Sequence, residues 1–505
     1  MNPPISLPAD SRRLFAWALL LFVACFLLNS RHRDFPYFYH SDEPGKVEQV
    51  LTGNWNFHHP MLLLTTARLA VDLAGTPRRD QAVVEVGRLV SSGFMAVAVV
   101  ALSLLAYAWR GWPAAIAAGA ALATHHQLFE LAHYFKEDSA LLAGLGLTFL
   151  MLLAVWWRPT WRRVALLGIA CSLAASGKYV GVLAFGAALP VLYHAPERRP
   201  LRFVVFAAAA LVAFVAVNLP LLLHPGTFEE SLGREMDFVV HGQRGLTRSV
   251  PHTQYWNIFM DNTTPAIWAL LLVFLHARWR ERRELTLPEQ IIIAFPFAYA
   301  LVLSFSPKSN DRYFLPATAL FTLFAALGTM DVARFIRRGV QQRPAVLLAG
   351  LGLLLWQLPS LIRYDRAFAS DDTKELMEWL RTKLPPTAVI AKDGRIEIPE
   401  TGKEKDAERM GTLPQKVISD RFAADIGTRD ELLATGVTHV IVSESDYGRF
   451  FLQGLRPQPS ERADFERRKA FYEGLLRDEE LLFERERGTV IYLHPGIRVY
   501  RLTGL

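Results

Sequence analysis

Cysteine is nearly missing. Cys25 and Cys171 are the only two in 505 residues, and both lie inside apolar runs, so no disulfide framework or zinc cage can be assembled. Charge is thin as well: Asp, Glu, Lys and Arg make up 20% of the chain, against roughly 25% in soluble domains. No glycine-rich phosphate loop, internal repeat or low-complexity tract is present. Lysine is scarcest in the first 365 residues, which hold only Lys46, Lys136, Lys178 and Lys308. These absences exclude a disordered or collagen-like chain and a purely soluble enzyme. What remains is a 51% hydrophobic protein whose charge deficit sits in its first two thirds.

A hydrocarbon core of about 30 Å needs about 20 apolar residues in a helix. Runs that meet or approach this are Leu14–Leu28, Leu89–Trp109, Trp112–Leu128, Ala140–Trp157, Val164–Ala175, Tyr179–Tyr193, Phe203–Leu223, Pro265–His276, Ile291–Phe305, Tyr313–Met330 and Ala345–Leu361. The expected fold is therefore a polytopic α-helical membrane protein of about eleven spans. Alternate loops carry Arg110; Arg158, Arg162 and Arg163; Arg198, Arg199 and Arg202; Arg278 to Arg283; and Arg334 to Arg343. The positive-inside rule makes that side, with the N-terminus, cytoplasmic. The net charge of +7 is thus topological and needs no nucleic acid partner. The other side receives the long loops 29–87 and 224–264.

The domain division expected is a transmembrane domain over 1–364 and a soluble extracytoplasmic α/β domain over 365–505. In the tail, Asp371 or Asp372 caps a helix through Leu376, Trp379 and Leu380 that Pro385-Pro386 stops. Thr387–Ala391 and Thr438–Ser443 read as buried strands, Glu461–Arg477 as a charged amphipathic helix, and Leu481–Arg485 and Ile497–Leu502 as strands. Glu400–Met410 reads as a polar loop.

Four outer features carry chemistry. His40-Ser41-Asp42-Glu43-Pro44-Gly45-Lys46 sets adjacent carboxylates just above a bilayer, where desolvation is costly without partners; Asp42 equally suits the N-cap of a following helix. Asn56-Phe57-His58-His59-Pro60-Met61-Leu62 opens an amphipathic stretch, and His58 and His59 are candidate metal or phosphate ligands, although adjacent side chains on one element point apart. His133-Tyr134-Phe135-Lys136-Glu137-Asp138 is a charge cluster at a span boundary, also readable as an interfacial anchor. Two tight turns, Ser176-Gly177-Lys178-Tyr179 and Pro307-Lys308-Ser309-Asn310-Asp311-Arg312-Tyr313, add cations that snorkelling alone would explain. All four lysines of residues 1–365 fall on this outer side, against the positive-inside bias, which points to an anionic partner there. A carboxylate pair among separated cations suits a lipid-phosphate leaving group: a base serves the acceptor and positive charge the departing phosphate.

These motifs, with "PKSNDRYFLPATALFTLFAALG" and the polar tail, resemble the GT-C glycosyltransferases that use polyprenyl-phosphate sugars, the protein O-mannosyltransferase and lipid A aminoarabinose transferase group. The resemblance covers about residues 10–365 by order and spacing. It implies Asp42 as general base for an acceptor hydroxyl with Glu43 in support, and inversion at the anomeric carbon. It places His59, Lys136, Asp138, Lys178, Lys308 and Arg312 at the donor phosphate and sugar. A divalent metal is open under the resemblance and is not required by the sequence. One departure is that Pro60 is followed by Met61, where the family often has a second proline. The partners implied are a polyprenyl-phosphate sugar, a lipid, glycan or protein acceptor, and membrane lipids, in a bacterial inner membrane with the C-terminal domain periplasmic. Two other classes account for parts of the pattern. A transporter or lipid flippase would place its charges at the bilayer midplane and show repeated halves. A membrane-anchored assembly protein would leave the outer lysines and the Asp42-Glu43 pair unexplained.

Overall fold

The computed structural model describes residues 7–34, 40–195, 200–241, 260, 262–305, 311–335, 342–402, 410–452, 457 and 459–503. The chain divides into two units, the described residues of Met1–Arg33, Asp42–Val240 and Pro251–Leu361, and those of Asp34–Ser41, His241–Val250 and Ile362–Leu505.

The first unit is helical. Each expected span has a helix: Leu7–Asn29, Asp80–Arg110, Trp112–Ala123, Asp138–Trp157, Trp161–Gly177, Leu183–His194, Pro200–Leu223, Pro265–Arg280, Leu287–Ser304, Leu315–Asp331 and Gln342–Phe368. Among the described residues, seven helices are long and apolar enough to cross a membrane. One expectation needs correcting. The run Trp112–Leu128 is not one span: a helix of 12 residues ends at Ala123 and a second, His126–His133, follows. Thr124 and His125 make the break, with His125 Nδ1 accepting the Gln127 amide at 3.2 Å as an N-cap. A helix of that length reaches only about 18 Å. Such a piece is tolerable at membrane depth where neighbours cover it, and half of the helix 112–123 is buried.

Burial sorts the bundle. The apolar windows of Arg312–Asp331 and Asp138–Trp157 are 89% and 72% buried, whereas that of the first helix is 11% buried and presents its apolar side chains outward. Central helices approach closely through small residues, as lipid-embedded packing favours. A Cβ on Gly144 would collide with the Ala174 backbone, and one on Gly328 with the Leu270 carbonyl. The loop 29–87 contains two further helices, Glu43–Thr52 and Leu62–Leu73, and the loop 224–264 contains Pro225–His241.

The second unit is a five-stranded sheet of order β2-β1-β3-β5-β4, with β1 Val389–Asp393, β2 Lys416–Asp420, β3 His439–Ser443, β4 Glu480–Arg487 and β5 Pro495–Arg501. β1 runs parallel to β2 and β3, while β5 is antiparallel to β3 and β4. Alternate side chains feed two cores. Ala391, Val440, Val442 and Tyr500 pack with Tyr472 and Leu475 of the helix Arg462–Asp478. Ile390, Val417, Ile441 and Val499 pack with Leu376 and Leu380 of the helix Asp372–Lys383. Two buried faces explain why β1 and β3 read as continuous apolar runs. The Asp371 side chain caps the first helix through the Thr373 and Lys374 amides. β2 was not expected, because Lys416, Ser419 and Asp420 interrupt its apolar pattern. Most of the expected loop Glu400–Met410 lies outside the described residues.

Candidate active site

Asp42 stands at the N-cap position of the helix Glu43–Thr52 but makes no side-chain capping bond. Its carboxylate is turned elsewhere: Oδ2 pairs with Lys136 Nζ and lies 3.6 Å from Arg312 Nη1, with 40% of the side chain exposed. A carboxylate that forgoes a cap for two cations, yet stays open to solvent, can still receive a proton from an incoming hydroxyl.

Glu43 has the opposite environment. It is 0% exposed and takes two hydrogen bonds from Arg88, Nε at 3.2 Å and Nη2 at 2.9 Å. The Phe135 amide donates a further bond to Glu43 Oε1 at 2.8 Å. One buried carboxylate therefore joins the start of the Asp42 helix to the segment carrying Lys136. Arg88, itself 1% exposed, holds it from the long helix Asp80–Arg110 and donates to the Arg33 carbonyl at 2.8 Å. The same helix face receives the segment through Ser91, which accepts the Lys136 amide at 3.3 Å, and through Gly87, where any Cβ would strike the Phe135 ring.

The remaining charges gather around this core. Lys46 pairs with Glu137, and His59 Nε2 lies 3.8 Å from the other oxygen of Glu137. Lys178 Nζ bonds Asp138 Oδ1 at 2.7 Å and lies 4.7 Å from the centre of the Tyr313 ring, which Arg312 also faces at 5.4 Å. Asp138 Oδ2 is buried with no hydrogen-bond partner. Among the described residues, four cations, Lys46, Lys136, Lys178 and Arg312, thus share three carboxylates, Asp42, Glu137 and Asp138. Burial pulls Lys46 down to about 8, against the pull of Asp42. Burial, with Arg312 adding, also holds Lys136 well below the lysine range. Burial and the surrounding cations hold His59 well below the histidine range, so its imidazole is neutral.

The structure brings Asp42, Glu43, His59, Lys136, Asp138, Lys178 and Arg312 together in one unit; Lys308 lies outside the described residues. Among the described residues no group of three or more His, Cys, Asp or Glu side chains is placed to hold an ion. Among the described residues His59 meets Glu137, whose other oxygen Lys46 occupies.

Three residues that position this site were not read from the sequence: Arg88, Asn218 and Phe57. Asn218 sits at a kink in the helix Pro200–Leu223, two residues before Pro220. It accepts the Met61 amide at 3.0 Å and donates to Ser176 Oγ at 2.7 Å, tying the His59 segment to the Lys178 turn. Its signal was available, since Asn218 is the one polar residue of the run 203–223. Phe57 adopts φ +49, a left-handed conformation costing a non-glycine residue about 1–3 kcal/mol. Its carbonyl accepts Tyr179 Oη at 2.8 Å, which holds the strained turn next to His58 and His59.

No family model and no curated sequence matches the chain. Solved structures do. ArnT from Cupriavidus metallidurans bound to undecaprenyl phosphate superposes with a TM-score of 0.54 at 14% identity, covering 97% of this chain and 98% of that one. The archaeal oligosaccharyltransferase AglB from Archaeoglobus fulgidus, in complex with an inhibitory peptide and a dolichol-phosphate, gives 0.50 at 12% identity over 86% of this chain and 70% of that one. With its apolar helices and its C-terminal sheet unit, the chain is a polytopic membrane protein of the GT-C fold.

Proposed function

We propose that the protein is an integral-membrane glycosyltransferase that moves a sugar from a polyprenyl-phosphate donor to an acceptor hydroxyl. The single observation that carries this is the excess of cations around one half-exposed carboxylate, Asp42. Asp42 accepts the hydroxyl proton as the acceptor oxygen attacks the anomeric carbon. The bond from that carbon to the phosphate oxygen breaks, and attack from the opposite face inverts the configuration. The departing lipid phosphate is received by Lys136, Lys178 and Arg312, with Lys308 assigned by sequence alone. Charge stabilisation of this kind is worth roughly 2–4 kcal/mol per donor. Glu43 acts through Arg88 and Phe135 and positions Asp42; it is too enclosed to exchange a proton with substrate. The ArnT and AglB structures, bound to undecaprenyl phosphate and to a dolichol-phosphate, support a lipid-phosphate ligand for this fold. The loop arginines support a reaction at the extracytoplasmic face, and the compact loops and the resemblance support a bacterial inner membrane.

The transporter reading is less well supported, because these cations collect near Arg88, which flanks one end of the apolar run Leu89–Trp109, and not at the middle of that run. The test is native mass spectrometry of the purified protein with polyprenyl-phosphate sugars. Wild type is expected to bind one carrier, and Arg312→Ala to bind it at least about tenfold more weakly. Absence of binding to every carrier, with the fold intact, would move the assignment to transport.

A further inference from the structure

Each parallel strand of the C-terminal sheet delivers one arginine to its carboxyl end: Arg395 follows β1, Arg421 follows β2, and Arg449 follows β3. The three ends are drawn together. Gly394 N donates to the Arg421 carbonyl at 3.4 Å, and buried Asp393 accepts the Ala423 and Ser443 amides at 2.7 and 2.8 Å. The chain leaves β1 to one side for β2 and crosses to the other for β3, so the strand order reverses at β1. In open α/β sheets, ligands bind outside the carboxyl ends of the strands at such a switch point.

Charge there is unbalanced. Asp446, 2% exposed, takes Arg395 at 3.1 Å and Arg449 at 3.4 Å. Arg421 is exposed and forms no ion pair with any described residue. Arg421 and Arg449 both face the Phe422 ring, at 5.3 and 5.1 Å. Burial, with Arg395 and Arg421 adding repulsion, lowers Arg449 to about 10 despite Asp446 beside it. Asp446 takes two of the guanidinium groups and leaves Arg421 over, and planar guanidinium forks match oxyanions.

We propose that this strand-end surface binds an oxyanion, a phosphate or carboxylate, at the edge formed by Arg395, Arg421 and Arg449. If the transferase reading holds, the natural source is an acidic group on the acceptor glycan; the binding itself does not depend on that reading. The experiment uses the full-length protein in detergent without any lipid donor, titrated with glucose 6-phosphate, glucuronate and glucose at low and high salt. At least one anionic sugar is expected to bind in a salt-sensitive manner while glucose does not, and the tighter of the two names the oxyanion. The variant Arg395→Gln/Arg421→Gln should lose at least about tenfold in affinity. Arg421→Gln alone should leave the melting temperature of the C-terminal unit unchanged or raised, because it relieves repulsion. Undiminished binding in the double variant, no binding of either anion at low salt, or a lowered melting temperature for Arg421→Gln would each overturn the proposal. Failure of donor binding would instead count only against the transferase reading.

Discussion

In the helix Asp80–Arg110 an arginine flanks each end of the apolar run Leu89–Trp109, and the two neighbourhoods differ. Arg88 and Arg110 are separated by about 33 Å along the axis, enough to span a bilayer core. At the Arg110 end, Arg110 and Arg278 meet Glu281 and Asp331, two cations with two carboxylates at 2.5–3.8 Å. At the Arg88 end, once Arg88 and Glu43 neutralise each other, four cations face three carboxylates, and three of the four are lysines. A balanced arginine cluster closes a bundle. An unbalanced lysine cluster waits for an anion.

The largest expected effect breaks the difference at its centre. Asp42→Asn removes the base and leaves the cations, so the turnover number should fall about 100- to 10,000-fold while donor affinity is kept or improved. Loss of both in parallel would mean that Asp42 merely orders Lys136. Next comes Arg88→Met, which strands the Glu43 carboxylate in the interior and should cost about 3–5 kcal/mol in denaturant unfolding. Adding Glu43→Leu should restore most of that stability, yet kcat should stay depressed, because nothing then holds the Phe135 amide against the Asp42 helix. Recovery of both would assign the pair to stability alone. The smallest effect belongs to the other end. Asp331→Asn should lower thermal stability and leave kcat and KM within about twofold, since catalysis has no use for that cluster. A large change in KM would erase the contrast between the two ends.

Much of this was legible from residue type. The lysines stood out because they oppose the positive-inside bias, and the motif order singled out Asp42, Lys136 and Lys178, which the fold brings into one unit. The β1 and β3 runs were legible because burial on both faces leaves them uniformly apolar. Other features were not. Arg88 reads as the polar edge of a span, and only the fold shows that Glu43, 45 residues away in sequence, pairs with it in the interior. The choice between Glu43 and Asp42 as base is likewise a matter of burial, invisible in two adjacent acids. The break at Thr124-His125 was hidden because the runs on either side are apolar enough to read as one.

The uncapped start of the helix Glu43–Thr52 has a consequence for how this protein would change under selection. A side-chain cap at that position is worth about 1 kcal/mol, and Asp42 withholds it. Serine or asparagine at residue 42 would quiet the local charge and could close the first turn. A library enriched for heat tolerance alone would therefore drift away from aspartate at this position, and the hardiest clones would be the inert ones.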